Sequence, residues 1–172
     1  MEQNLVGLTW PVIFERLVVS IICGALIGFE REWARKQAGL RTMILICFGS
    51  TLYMTVSQLA ALTASQLFDV TRIAAQVVTG VGFIGAGSII VARGHVQGLT
   101  TAATIWTVAA IGLVIGAGFP YLGLAVTALV LVILVAIKPL EDRFVRRLVG
   151  NENAQGAEEF PPPAEEQRSK AQ

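Results

Sequence analysis

The sequence predicts an all-α membrane protein, a bundle of five transmembrane helices with its N-terminus outside and its C-terminus cytoplasmic. Three observations carry this. Charge-free runs extend over Thr42 to Phe68, over the 20 residues Ile73 to Ala92 and over the 42 residues Val96 to Ile137, where a single span takes about 20 apolar residues. Hydrophobic residues make up 54% of the chain and charged residues 15%, well under the ~25% charged of soluble domains. The basic residues also alternate between connections. Arg31, Arg35, Lys36 and Arg41 fall in the first, Arg93 in the third, and Lys138, Arg143, Arg146 and Arg147 after the fifth span. The other side holds only Arg16 and Arg72. The positive-inside rule then makes the first and third connections and the C-terminus cytoplasmic, and an odd number of spans places the termini on opposite sides, in agreement.

The spans follow in order. The first is read as Val12 to Phe29, where Glu15 and Arg16 leave 13 uncharged residues before Glu30; the two charges are expected at the interface, where an arginine stem can snorkel. The second is Met43 to Leu62 and the third Ile73 to Ala92. The fourth, Thr101 to Gly118, and the fifth, Tyr121 to Ile137, meet at Gly118-Phe119-Pro120, a break suited to a tight helical hairpin. These spans form a transmembrane domain over 1–138. A short basic interfacial helix is expected over 139–150, with Leu140, Phe144 and Leu148 on one face, and a disordered acidic, proline-rich tail over 151–172. The N-terminus lacks the basic region and small-residue cleavage site of a signal peptide.

The glycine-rich third span matches the dinucleotide pattern G-x-G-x-x-G at Gly80, Gly82 and Gly85. That fingerprint needs a preceding strand and an acid about 20 residues on, and neither is expected here. Glycine in a membrane helix lets another helix approach closely. Gly85 and Gly87, the pair Gly24 and Gly28, and the pair Gly112 and Gly116 read as helix-packing positions on the same ground. Glu30 and Arg31 leave the first span together. They read either as an interfacial anchor with ordinary positive-inside charge or, since an acid beside apolar sequence is costly unless paired, as Glu30 paired with Arg31, Arg41 or a charge from another helix.

Arg72, Gln76 and Thr79 or Gly80 share one face of the third helix, and Gln76 is expected to bond a neighbouring helix. Thr100, Thr104 and Thr107 share a face of the fourth, with Thr100 or Thr101 as its N-cap. His95 is expected in a loop, and Cys23 and Cys47 as small buried apolar residues. No span contains the carboxylates that a divalent cation prefers, and no nucleophile, phosphate loop, haem or zinc spacing is present. The reading is of a protein that is not an enzyme, has no cofactor and binds no nucleic acid.

Three blocks, GALIGFEREWARKQAGLRT, RIAAQVVTGVGFIGAGSII and VQGLTTAATIWTVAAIGLVIGAG, resemble in order and spacing the signature blocks of the MgtC/SapB family of bacterial inner-membrane proteins. The resemblance covers Leu17 to Ile137. It implies the same five-span topology and a multi-pass protein of the bacterial inner membrane. It also implies a link to growth in low magnesium, acid tolerance and intracellular survival, and a membrane partner such as the F-type ATP synthase. The positions that match the family blocks are Glu30, Arg31, Gly39, Arg41, Arg72, Gly80, Gly82, Gly85, Gly98, Thr100, Thr101 and Trp106. Only 34 residues follow Lys138, which resembles the short SapB-like branch without a folded cytoplasmic domain.

Two functions are in competition. One is a regulator whose small-residue helix faces dock on a membrane partner or a second copy; glycine faces left to lipid in a monomer would favour a dimer or larger homo-oligomer. The other is a small transporter or channel with a polar path between the third and fourth helices, lined by Gln76, Thr100 and Thr104.

Overall fold

The computed structural model describes residues 8–63, 69–92 and 95–137. Within them lie five helices and one two-stranded hairpin, in the order α1 (Trp10–Trp33), α2 (Leu40–Thr63), α3 (Thr71–Gly87), β1 (Ile90–Ala92), β2 (His95–Gln97), α4 (Leu99–Gly116) and α5 (Pro120–Ile137). The chain divides into two compact units, Met1–Leu131 and Val132–Gln172; of the second, only the helical stretch 132–137 is described. The expected interfacial helix and tail lie outside the described residues.

Four helices, α1, α2, α4 and α5, are long and apolar enough to cross a membrane. Their outer faces carry large exposed apolar side chains, among them Phe14, Phe29, Leu45, Leu122 and Leu129, an arrangement that lipid satisfies and water does not. Trp10 and Trp33 are 84% and 82% exposed at the two ends of α1. At 1.5 Å per residue they stand about 35 Å apart along the helix, the spacing of two interfacial aromatic anchors.

The third span departs from expectation. α3 has 17 residues, and the apolar run does not continue it to Ala92. Four glycines from Gly80 to Gly87 weaken helix propagation, and Ser88 closes the end with its hydroxyl on Gly85 O at 2.7 Å. The β-branched Ile90 and Val91 that follow suit a strand, and β1 pairs antiparallel with β2 in the register Ile90 to Gln97 and Val91 to Val96. His95, expected in a loop, belongs to β2.

Helix ends are set by local chemistry. α4 closes with Gly118 left-handed at φ 106°, Gly118 N–H on Ile115 O and Phe119 N–H on Val114 O, a Schellman arrangement; Pro120 then opens α5. α1 closes the same way, with Arg35 N–H on Glu32 O and Lys36 N–H on Arg31 O, yet the left-handed residue is Arg35 at φ 53°, where glycine is usual.

The core sits where α1, α2 and α4 meet. α2 packs most extensively on α1 and then on α4, whereas α3 leans on α4 and touches α2 only lightly. Cys23, Ile27, Met43, Cys47, Val108 and Ile115 are fully buried, and both cysteines are free.

Candidate functional site

Two concavities gather residues singled out in the sequence, Arg31, Gly98, Thr100 and Thr101 in one and Arg41, Arg72, Gln76 and Gly80 in the other. The first lies at the basic end of the bundle. Arg31, in the last turn of α1, is 2% exposed, with Nη1 3.6 Å from Glu30 Oε2; among the described residues Glu30 forms no pair with Arg41. The Leu40 amide at the start of α2 donates to Glu32 Oε2 at 2.9 Å, so a carboxylate sits on a helix N-terminus. Gly39 leaves the room for it, since a Cβ there would press on that carboxylate. Arg31, Arg35 and Lys36 then line one wall of a cavity of about 420 Å³, and Gln97, Gly98, Thr100 and Thr101 line another. Gly98 is left-handed at φ 94°, and a Cβ there would collide with Ser88 O. Only glycine lets the chain turn from β2 into α4 at this point.

The second concavity is an apolar groove of about 940 Å³ between α2 and α3. Leu45, Ile46, Gly49 and Tyr53 form one wall and Val77, Gly80 and Ile84 the other, with Arg41, Arg72 and Gln76 also on the lining. Gln76 is exposed into this groove and does not bond a neighbouring helix among the described residues. Arg41 opens α2 and Arg72 opens α3, so the two cations lie toward opposite ends of these helices. Beyond that end of α3, the Thr71 amide and hydroxyl donate to Asp69 Oδ1 at 2.9 and 2.6 Å. These bonds, with Arg72 nearby, hold the exposed Asp69 carboxyl below its ordinary range.

Among the described residues, Thr104 and Thr107 of α4 bond within their own helix. Thr104 is 4% exposed and donates to Thr100 O at 2.7 Å, and Thr107 donates to Ala103 O at 2.8 Å. Their hydroxyls are turned to their own backbone. Gly85 of α3 packs on Ala102 of α4. Thr101 is buried, Thr100 is exposed, and neither hydroxyl caps α4. Trp106 is 53% exposed on the outer face of α4.

The glycine positions divide. A Cβ at Gly24 would lie 2.7 Å from Ile44 Cα, at Gly28 2.7 Å from Leu40 Cα, and at Gly116 2.7 Å from Thr51 O. At Gly112 it would collide with Cys47 O. These faces are consumed inside the chain and do not face lipid, which removes them from the case for an oligomer. Gly80, Gly82 and Gly87 have nothing within 4 Å, so among the described residues Gly85 is the one α3 glycine that meets another helix.

Several working residues escaped the sequence reading. Arg16 does not snorkel. It is 7% exposed, and its Nη1 donates to Gln58 Oε1 at 2.7 Å and to Gly116 O at 2.9 Å, while Gln58 Nε2 donates to Ala117 O at 3.0 Å. A cation thus rests on the C-terminal carbonyls of α4, where the helix dipole favours it. Its place in an apolar run was the available signal, because an intramembrane cation requires a partner. Thr51 Oγ1 lies 2.9 Å from Gly112 O and ties α2 to α4; nothing in its spacing marks it. Among the described residues, no group of three His, Cys, Asp or Glu is placed to hold a metal ion.

Long apolar helices, lipid-facing outer surfaces and a buried, helix-satisfied arginine define a multi-pass membrane protein. Within that class, a sequence model of the MgtC family matches residues 17–143, and the chain belongs to this family. It is similar to the Escherichia coli K12 protein named "Putative magnesium transporter YhiD", 46% identical over 144 residues, covering 81% of this chain and 66% of that protein. It is also similar to "Protein MgtC" of Brucella abortus, 39% identical over 124 residues, covering 72% of this chain and 50% of that protein. The chain thus spans about half to two thirds of the relatives it matches. No solved structure matches it.

Proposed function

We propose that this protein is a non-enzymatic regulator of the bacterial inner membrane that takes a transmembrane helix of a partner protein into the groove between α2 and α3. The observation that carries this is the pair of open glycines in the groove walls. Gly49 and Gly80 line it and have nothing within 4 Å of a Cβ position. Helices associate in lipid chiefly by close backbone packing at small residues, and a lipid tail gains nothing from bare backbone. The positive-inside rule places the Arg31, Arg35, Lys36 and Arg41 end on the cytoplasmic side. A second reading, suggested by the name of the Escherichia coli relative, is passage of magnesium. The groove opposes it, because its charged lining residues are the cations Arg41 and Arg72.

The test is site-specific photo-crosslinking in native membranes from the groove positions Leu45 and Ile84, with Leu26 on the outer face of α1 as control. The expected result is one identified membrane protein, captured through a defined helix from the groove and not from Leu26, and lost in Gly80→Leu. Capture of a second copy alone would replace a heterologous partner with self-association. Equal capture from Leu26 would remove the groove as a docking site. Magnesium flux through liposomes, blocked by Gly80→Leu, would establish the transport reading.

A further inference from the structure

We propose that the cavity between the end of α1 and the start of α4 binds a phosphate-class oxyanion. This site is separate from the α2–α3 groove and does not rest on the docking reading. Its central observation is an incomplete arginine. Arg31 is 2% exposed and lines the cavity. One side of its guanidinium, at Nη1, faces Glu30, while Nε and Nη2 have no hydrogen-bond partner among the described residues. Those two N–H groups share one edge of the planar fork, the edge that grips two oxygens of a phosphate or carboxylate at once. Buried donors in native structures are satisfied, and a ligand oxyanion would satisfy both.

The opposite wall supplies the second half of the site. α4 is 18 residues long, begins at the left-handed Gly98, and has no side-chain cap and no acid in its first turn. Leu99, Thr100 and Thr101 from that turn line the cavity. Uncapped amides at a helix N-terminus carry a partial positive charge that favours an anion. Arg35 and Lys36 line the same cavity and are both exposed, so they can close over a ligand that Arg31 holds from below. Three cations and a helix N-terminus line the cavity, while Glu30 lies on Arg31 Nη1 and Glu32 on the Leu40 amide, a balance that selects a multiply charged phosphate over a carboxylate. The same chemistry is offered by free phosphate or a soluble phosphate ester and by the headgroup of an anionic phospholipid.

The experiment uses the full chain, purified without phosphate into phosphatidylcholine nanodiscs. One arm titrates inorganic phosphate against chloride at equal ionic strength, read by calorimetry. The other compares discs with and without phosphatidylglycerol, read by lipid retained in native mass spectrometry. Saturable binding in the first arm assigns soluble phosphate, and selective retention in the second assigns a lipid headgroup. In either case Arg31→Gln should weaken binding about ten-fold or more, the loss expected for charge-assisted hydrogen bonds, and the exposed pair Arg35→Gln and Lys36→Gln should weaken it by a smaller factor. Silence in both arms, or binding unchanged by the substitutions, overturns the proposal. Should Arg31→Gln not fold, the Arg35 and Lys36 variants decide, since neither side chain is buried.

Discussion

The two glycine-bearing sides of the bundle put one residue type to opposite uses. On the α1–α2–α4 side, Gly24, Gly28, Gly112 and Gly116 are each pressed against the α2 backbone or its Cβ atoms. On the α3 side, Gly80, Gly82 and Gly87 have open space where a side chain would stand. The first set is spent on folding, since it brings backbones close enough for Thr51 to reach Gly112 O. The second set contributes nothing to packing within the described chain and weakens its own helix. A stretch that costs helix stability without internal return is where an external helix can supply the packing.

Substitutions separate the two sides most sharply at Gly112. Leucine there must displace the main-chain oxygen of Cys47 rather than a movable side chain, and a destabilisation on the order of 3 kcal/mol is expected from overpacking. Unfolding by sodium dodecyl sulfate in mixed micelles measures it. A Gly112→Leu protein as stable as the wild type would erase the distinction between the sides. The next largest effect belongs to the lock one turn further on, at the C-terminal end of α4. Arg16→Met leaves Gly116 O and Gln58 without their partner, at a cost of about 1–3 kcal/mol. Gln58→Leu should couple to it, so that the double variant loses less than the sum of the singles. Strict additivity would show that Arg16 and Gln58 do not act as one unit.

Much of the closed side was legible and the open side less so, for a physical reason. Spans are written in composition, so the second, fourth and fifth helices fall within three residues of their expected limits, and the Gly118–Pro120 break is present. Gly24-x-x-x-Gly28 announces close approach, yet spacing does not say whether the neighbour belongs to the same chain. That depends on how α2 lies between α1 and α4. The third span misled because hydrophobicity does not distinguish the end of a glycine-weakened helix from the start of a β-branched strand. At the basic end, Glu30, Arg31 and Gly98 were visible as motif positions. The meeting of α1's end with α4's start, which turns them into a cavity, joins residues too far apart in sequence for spacing to reveal. Arg16 carried a readable signal, an intramembrane charge, that interfacial snorkelling explained too easily.

On the open side the same leucine has the opposite effect. Gly80→Leu adds a strong helix former where nothing obstructs it, so stability should hold or rise by roughly 0.5–1 kcal/mol while groove crosslinks disappear. A variant that unfolds in the same denaturation assay would mean that the groove wall packs on something inside the chain, and the open side would cease to be open.

The smallest effect sharpens the comparison at the foot of α3, where the open side is pinned by Asp69 on Thr71 and by Ser57 Oγ on Val70 O at 2.9 Å. The Thr71 hydrogen bonds, chiefly that of its hydroxyl, favour the ionised carboxylate and lower the Asp69 pKa. Its contribution is therefore fully present above the unfolded value, about 3.9 for aspartate, and is lost only as pH falls through the lower folded value. Amide exchange in the first turn of α3, followed as acid is added, should stay slow through the ordinary aspartate range and quicken below it. Asp69→Asn should show faster exchange there at neutral pH and no acid transition, with α1, α2 and α4 unaffected. Quickening at the ordinary aspartate value would mean that Thr71 does not hold the carboxylate. Quickening that spreads to α2 and α4 would show that the open side is not an independent unit, since a loss at one exposed carboxylate would then be felt across the packed core.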